Sequence, residues 1–171
     1  MFVYVKKLPV CSVCAKTGFL CESCQGRLDA GEVNEFEVEI SKEFLRLEES
    51  HPDMKDASFH GVIDYDNVVF FLVGPGDGQR IPPDAVEELK QVFNLDVLQL
   101  VEISKSTNRL VATLIAPAKL LGVNQIYLPM GTRELKVRVS KGDESLLPLP
   151  LPDMEDVARE LLGEDVSFSF E

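Results

Sequence analysis

All four cysteines of the chain lie within fourteen residues, as Cys11-x-x-Cys14, six residues, then Cys21-x-x-Cys24. Thiolates two apart on a tight turn grip one cation, and two such turns complete the tetrahedral four-sulfur shell that structural zinc prefers. His51 and His60 are remote in sequence and read as solvated or locally bonded turn residues, so a catalytic metal is not implied. The other reading of the cysteines is a pair of disulfides or a dithiol redox centre. Intracellular disulfides are usual only in hyperthermophiles, and a thioredoxin-like Cys-x-x-Cys needs a βαβ unit that the flanking residues do not supply. About thirty residues cannot bury enough surface to fold alone, whereas zinc binding supplies roughly 10–16 kcal/mol. The expectation is a module over residues 1–32 that holds a structural Zn2+ and unfolds on chelation.

The remaining residues have room for one domain or two small ones at roughly 100–200 residues per domain. With 45% hydrophobic and 27% charged residues, a packed core is expected and wholesale disorder is not. The longest apolar run, Val68 to Val73, is far short of the ~20 residues a membrane-spanning helix needs. Met1 to Val10 places Lys6 and Lys7 after its apolar part and lacks the order of a secretory leader. A cytoplasmic protein without a membrane partner is expected.

The net charge of -12 argues against non-specific adhesion to nucleic acid. The charge is uneven, however: residues 1–30 carry +2, residues 31–103 carry -12, residues 104–141 carry +6 and residues 142–171 carry -8. Only the third stretch would attract a phosphate backbone. Its bases are Lys105, Arg109, Lys119, Arg133, Lys136, Arg138 and Lys141. They form a candidate RNA-facing strip, or else solvated bases that keep the surface soluble. Tyr127 is the one aromatic side chain in that stretch, so backbone contact is expected and a base-stacking platform is not.

Apolar periodicity organises the rest. Phe36, Ile40, Phe44 and Leu47 fall at helical spacing, and His51-Pro52 ends that helix. Ser58–Ile63 and Val68–Val73 read as a hairpin around Asp64-Tyr65-Asp66-Asn67. A helix starts near Pro83 or Asp84, with Asp84 and Glu87 spaced as a cap pair, and Val97–Ile103 is a third strand. Ala116-Pro117-Ala118 splits Leu110–Val123 into two short helices. Strands follow at 126–128 and 135–139, then a helix capped by Asp153 and ended by Gly163, then a strand at 166–170. The order helix, strand, strand, helix, strand from residue 34 recurs from residue 109, so two copies of one small α+β unit are expected. The alternating leucines and prolines of Leu146–Pro152 suggest an extended docking strip or a loop laid over the core.

That order, with "DNVVFFLVGPGDG", "VEELKQVFNLDVLQLVE" and "TLIAPAKLLGVNQIYLP", resembles the tandem KH domains of archaeal NusA-like transcription factors. The resemblance spans roughly residues 31 to 171. It implies an α+β fold of two type II KH-like domains, at 33–115 and 116–171, each with a helix, two strands, two helices and a strand. It also implies binding of single-stranded RNA and a role in transcript elongation and termination. The chain departs from the family at the Gly-x-x-Gly loop, whose main-chain N–H groups clamp the RNA backbone. At the two corresponding places stand Arg80-Ile81-Pro82-Pro83-Asp84 and Leu149-Pro150-Leu151-Pro152-Asp153. Each proline removes a donor, and the carboxylates that follow repel phosphate.

No nucleophile with a base and no Walker-type loop is apparent, so neither an enzyme nor a small-molecule substrate is expected. The expected function is that of a non-enzymatic NusA-like accessory factor, touching single-stranded RNA weakly through the basic stretch and contacting RNA polymerase or the ribosome. The other expectation is a protein–protein adaptor on one of those machines whose KH-like domains have lost RNA.

Overall fold

The computed structural model describes residues 8–65 and 67–171. Expectations resting on residues 1–7, part of the stretch read against a leader, and on Asp66 in the hairpin turn lie outside the described residues. The chain divides into two compact units, Met1–Leu100 and Val101–Glu171. The boundary expected at 115/116 falls further along the chain, at the end of the first helix of the second unit.

The first unit opens with two short helices, α1 (Ser12–Thr17) and α2 (Glu22–Asp29). The long helix α3 (Glu35–Ser50) follows, then the hairpin β1 (Phe59–Tyr65) and β2 (Val68–Val73), the helix α4 (Pro83–Val92) and the strand β3 (Val97–Glu102), whose last two residues already belong to the second unit. The strands form one sheet in the order β1-β2-β3, with β1 antiparallel to β2. The helical spacing read from the sequence puts Ile40, Phe44 and Leu47 on the buried side of α3. They pack with Met54, Phe59, Val69, Phe71, Val73, Ala85, Leu89 and Leu98 in one core.

Asn34 and Glu37 start α3 with a capping box: the Asn34 side chain accepts the Glu37 N–H at 2.7 Å and Glu37 Oε1 accepts the Asn34 N–H at 3.3 Å. Glu37 also accepts the Val62 backbone N–H, which ties the helix start to β1, and burial raises its pKa above the ordinary value against those two hydrogen bonds. An acid whose pKa is raised on folding stabilises the fold most below its unfolded pKa of about 4.3, and this contribution is lost as pH rises through the folded value. Wild type should therefore gain stability relative to Glu37→Gln as pH falls from 7 toward 4.3. Urea unfolding of both proteins across that range checks this, and the opposite trend would refute it.

The second unit repeats the order: α5 (Thr107–Ile115), β4 (Leu120–Tyr127), β5 (Arg133–Val139), α6 (Leu151–Leu162) and β6 (Asp165–Phe170). Its sheet runs β4-β5-β6, with β4 antiparallel and β6 parallel to β5. Leu110, Val111, Leu114 and Ile115 of α5, Met154, Val157 and Ala158 of α6, and Leu135, Val137 and Val139 of β5 are buried.

Three expectations are corrected. Residues 120–127, read in part as a second short helix, form β4, because seven of the eight residues pair with β5 around one break of register at Leu121, and that ladder outweighs the helical reading of a short apolar run. The helix starts are capped by Pro82 and Pro150, with no side-chain cap; Asp84 and Asp153 stand inside the first turns, where their charge still faces the helix N-terminus. Between second and third strands each repeat has a 3-10 turn, at Asp77–Gln79 or Lys141–Leu146, followed by a single α-helix in place of two. Among the described residues no helix is long and apolar enough to cross a membrane.

Candidate metal centre and basic surface

Cys11 and Cys21 are the N-cap residues of α1 and α2, and each helix's first turn carries the second cysteine of its pair. Two helix N-termini, whose dipoles favour anions, thus converge on the sulfurs. Gly18, at a φ of 78° that disfavours any residue with a Cβ, ends α1 and lets the chain return toward the second pair. All four Sγ atoms lie within 4.8 Å of one another. Tetrahedral zinc with bonds of about 2.3 Å needs sulfurs roughly 3.8 Å apart, so small adjustments close the shell.

Hydrogen bonding ties the pairs together reciprocally. The Cys21 N–H donates to Cys14 Sγ at 3.1 Å and the Cys11 N–H donates to Cys24 Sγ at 3.4 Å. The Cys24 N–H, with lesser help from the Cys14 side chain, brings the Cys21 thiol down to about 7, and the Cys14 N–H likewise lowers Cys11. For Cys14 the Cys21 N–H favours the thiolate, but the neighbouring thiols and burial outweigh it and push the group up to about 12. Four thiolates at this spacing repel one another, and a divalent cation at their centre removes the conflict. The donor set therefore fits a metal ion.

Cys14 and Cys24 are buried, whereas Cys11 and Cys21 face solvent. The buried pair packs with Val10, Ala15 and Val33, and with Leu20, Val38 and Leu45, so the centre fastens this module to α3.

The bases singled out from the sequence all lie in the second unit. Lys119, Arg138 and Lys141 gather at one end of its sheet: the Ser140 N–H donates to the Lys119 carbonyl, the Lys141 N–H donates to the Glu171 carbonyl, and Arg138 pairs with the Glu171 carboxylate at 3.4 Å. Lys136 lies midway along β5, opposite Asn124. Arg133 stands at the far end of β5, roughly 20 Å away at ~3.3 Å per residue, paired with Glu164. Lys105 precedes α5, and Arg109 in its first turn lies 3.8 Å from Glu102. Three of the seven bases are thus engaged by carboxylates.

A polar cluster around the buried Asp77 in the first unit escaped the sequence reading. Asp77 accepts the Ser58 N–H and the Ser58 hydroxyl, both at 2.9 Å, and pairs with Arg80, while Ser58 Oγ lies 3.1 Å from His60 Nε2. A Cβ on Gly74 would collide with the Asp77 carboxylate and stand 2.5 Å from Ser58 Oγ, which accounts for glycine there. The serine lies between acid and imidazole, whereas a nucleophile relay needs the imidazole in the middle. The cluster instead pins the turn before α4. The glycines and aspartate of the turn were the available signal. Beside it, an open groove of about 470 Å³ runs between α4 and β3, lined by Ile81, Val86, Lys90, Val97 and Leu100 among others.

No family model matches the chain. No curated protein matches it. The crystal structure of APE1850, an archaeal protein, is similar over 73% of this chain and 96% of that one, with a TM-score of 0.51 and 20% identity, a likeness that shows the fold alone. The four-cysteine cluster fits a metal-binding module.

Proposed function

We propose that this chain is a non-enzymatic, NusA-like RNA-associated factor of archaeal transcription elongation or termination, cytoplasmic, with tandem KH-like units and a structural zinc ion on Cys11, Cys14, Cys21 and Cys24. The reading rests on one observation: helix, strand, strand, helix, strand occurs twice in succession along the chain, with a three-stranded sheet in chain order each time. Duplication of a small α+β unit is the arrangement the sequence resemblance implies.

The corners preceding α4 and α6 offer an RNA backbone little. Pro83 and Pro152 lack an N–H in the first turns, and Asp84 and Asp153 set a negative charge there. The grip falls to Lys105, Lys119, Lys136 and Lys141, which enter no ion pair among the described residues. Four contacts predict that log affinity for a single-stranded RNA falls against log salt with a slope near -2.8, at about -0.7 per phosphate. Fluorescence titration of a 12-nucleotide oligouridine from 25 to 200 mM NaCl reads the slope. Lys119→Glu with Lys141→Glu should abolish binding at low salt, and binding indifferent to salt or to the charge reversal would refute the RNA reading.

The second reading, an adaptor on RNA polymerase or the ribosome, is favoured by the pairing of Arg109, Arg133 and Arg138 with acids of the same unit, which removes nearly half of the basic stretch from service. Absence of RNA binding in the same titration would select it.

A further inference from the structure

β4 is an outer strand, paired along one edge with β5. Outer strands of soluble proteins are normally short, interrupted by proline or bulges, or armed with charges, which stops another chain from adding to them. β4 has few such protections. Its sequence Leu-Leu-Gly-Val-Asn-Gln-Ile-Tyr contains no charged residue and no proline, and eight residues at ~3.3 Å each span roughly 26 Å. Its one irregularity of register is confined to Leu120–Gly122. Along the strand and its turn Leu121, Ile126, Tyr127, Leu128 and Met130 are exposed, Tyr127 at 73% and Met130 at 91%.

The surroundings narrow the occupant. Asn124 lies directly opposite Lys136, and Gly122 opposite Arg138, so two bases share this face beside β4, Arg138 paired with Glu171 and Lys136 without an ion pair among the described residues. The adjacent positions Gln125 and Tyr127 point to the other face. Of the acids on that face, Glu171 is engaged by Arg138, while Glu134 and Asp165, partners in register, lie toward the hairpin end, away from Asn124 and Gly122. Lys119 directly precedes the strand, and neither it nor Lys136 forms an ion pair among the described residues. A second copy of the chain would set like edges side by side, each with its unpaired Lys136, and a net charge of -12 on each whole molecule. Single-stranded RNA would use the lysines but has no use for a row of main-chain donors and acceptors.

We propose that β4 is a strand-addition site for an extended segment of a partner protein in which acidic and apolar side chains alternate. Main-chain hydrogen bonds to the free edge hold the segment; its acids face Lys136 and Lys119, and its apolar residues lie beside Tyr127 on the other face. This site goes beyond the RNA reading and does not depend on it.

A labelled peptide (Val-Glu)4, titrated against the full chain by fluorescence anisotropy in 50 mM NaCl, tests the proposal. Saturable binding is expected, with slowed amide exchange along residues 120–127. (Val-Lys)4 should bind at least tenfold more weakly. So should (Val-Glu)4 with N-methyl groups on alternate residues, which blocks one main-chain edge without changing charge and leaves the protein untouched. Lys136→Glu should weaken binding of (Val-Glu)4 at least tenfold, with thermal melting to verify that the variant is folded. The proposal is overturned by absence of binding, by equal binding of the N-methylated peptide, or by protection away from β4. Protection of 120–127 by oligouridine in place of the peptide, or by dimerisation of the protein alone, overturns it equally.

Discussion

Stripping metal from the purified protein should unfold residues 8–33 and leave both three-stranded sheets intact. The module's own core is Val10, Cys14, Ala15, Cys24 and Val33, of which two are the sulfur donors themselves. So little apolar surface cannot offset the conformational entropy of ordering the segment, at ~1–2 kcal/mol per residue, and the roughly 10–16 kcal/mol of zinc binding is the term that can. One zinc per chain is expected by elemental analysis. After chelation, amide exchange across α1 and α2 should become fast while β1, β2 and β5 stay protected. Cys14→Ser or Cys24→Ser should act like the chelator, because each removes a sulfur donor and leaves a hydroxyl in a buried place. Protection unchanged by chelation would refute this. So would quantitative disulfides in protein purified without oxidant, which would restore the disulfide reading.

Replacing Phe59 by alanine should cost about 3–5 kcal/mol, the usual penalty for emptying a buried aromatic site. Its ring lies between Phe44 at 6.0 Å and Phe71 at 5.4 Å, and all three are fully buried. It therefore joins α3 to the sheet, and its loss opens a cavity that neither neighbour can fill without leaving its own contacts. Domains of this size are stable by about 5–15 kcal/mol, so the first unit would be left close to unfolding. Phe19→Ala makes the contrast: that ring is 82% exposed, and its removal should change stability by no more than about 0.5 kcal/mol. Chemical denaturation of both variants, holding zinc concentration fixed, reads the difference. Equal effects would mean that the ring stack does not carry the first unit.

Much of this architecture was legible in the sequence because local patterns determine it. Cysteine spacing marked the four-sulfur cluster, Ile40, Phe44 and Leu47 marked the buried stripe of α3, and Gly163 marked the end of α6. The Asn34 and Glu37 capping box was also written there as an amide three residues before a carboxylate, and was overlooked. β4 was not legible, since its apolar residues suit either period and only the partner strand decides between them. The basic stretch was hardest to read. Arg133 and Arg138 meet Glu164 and Glu171, about thirty residues away, and no local count of charge reveals that neutralisation.

The prolines at the two helix starts have an effect on the denatured chain. Pro82 and Pro150 sit at φ values of -69° and -56°, where the pyrrolidine ring is relaxed. A proline at a compatible position narrows the ensemble that the unfolded polypeptide can explore, by about 0.4–1 kcal/mol each. Both corners therefore favour the folded chain by raising the free energy of the unfolded one.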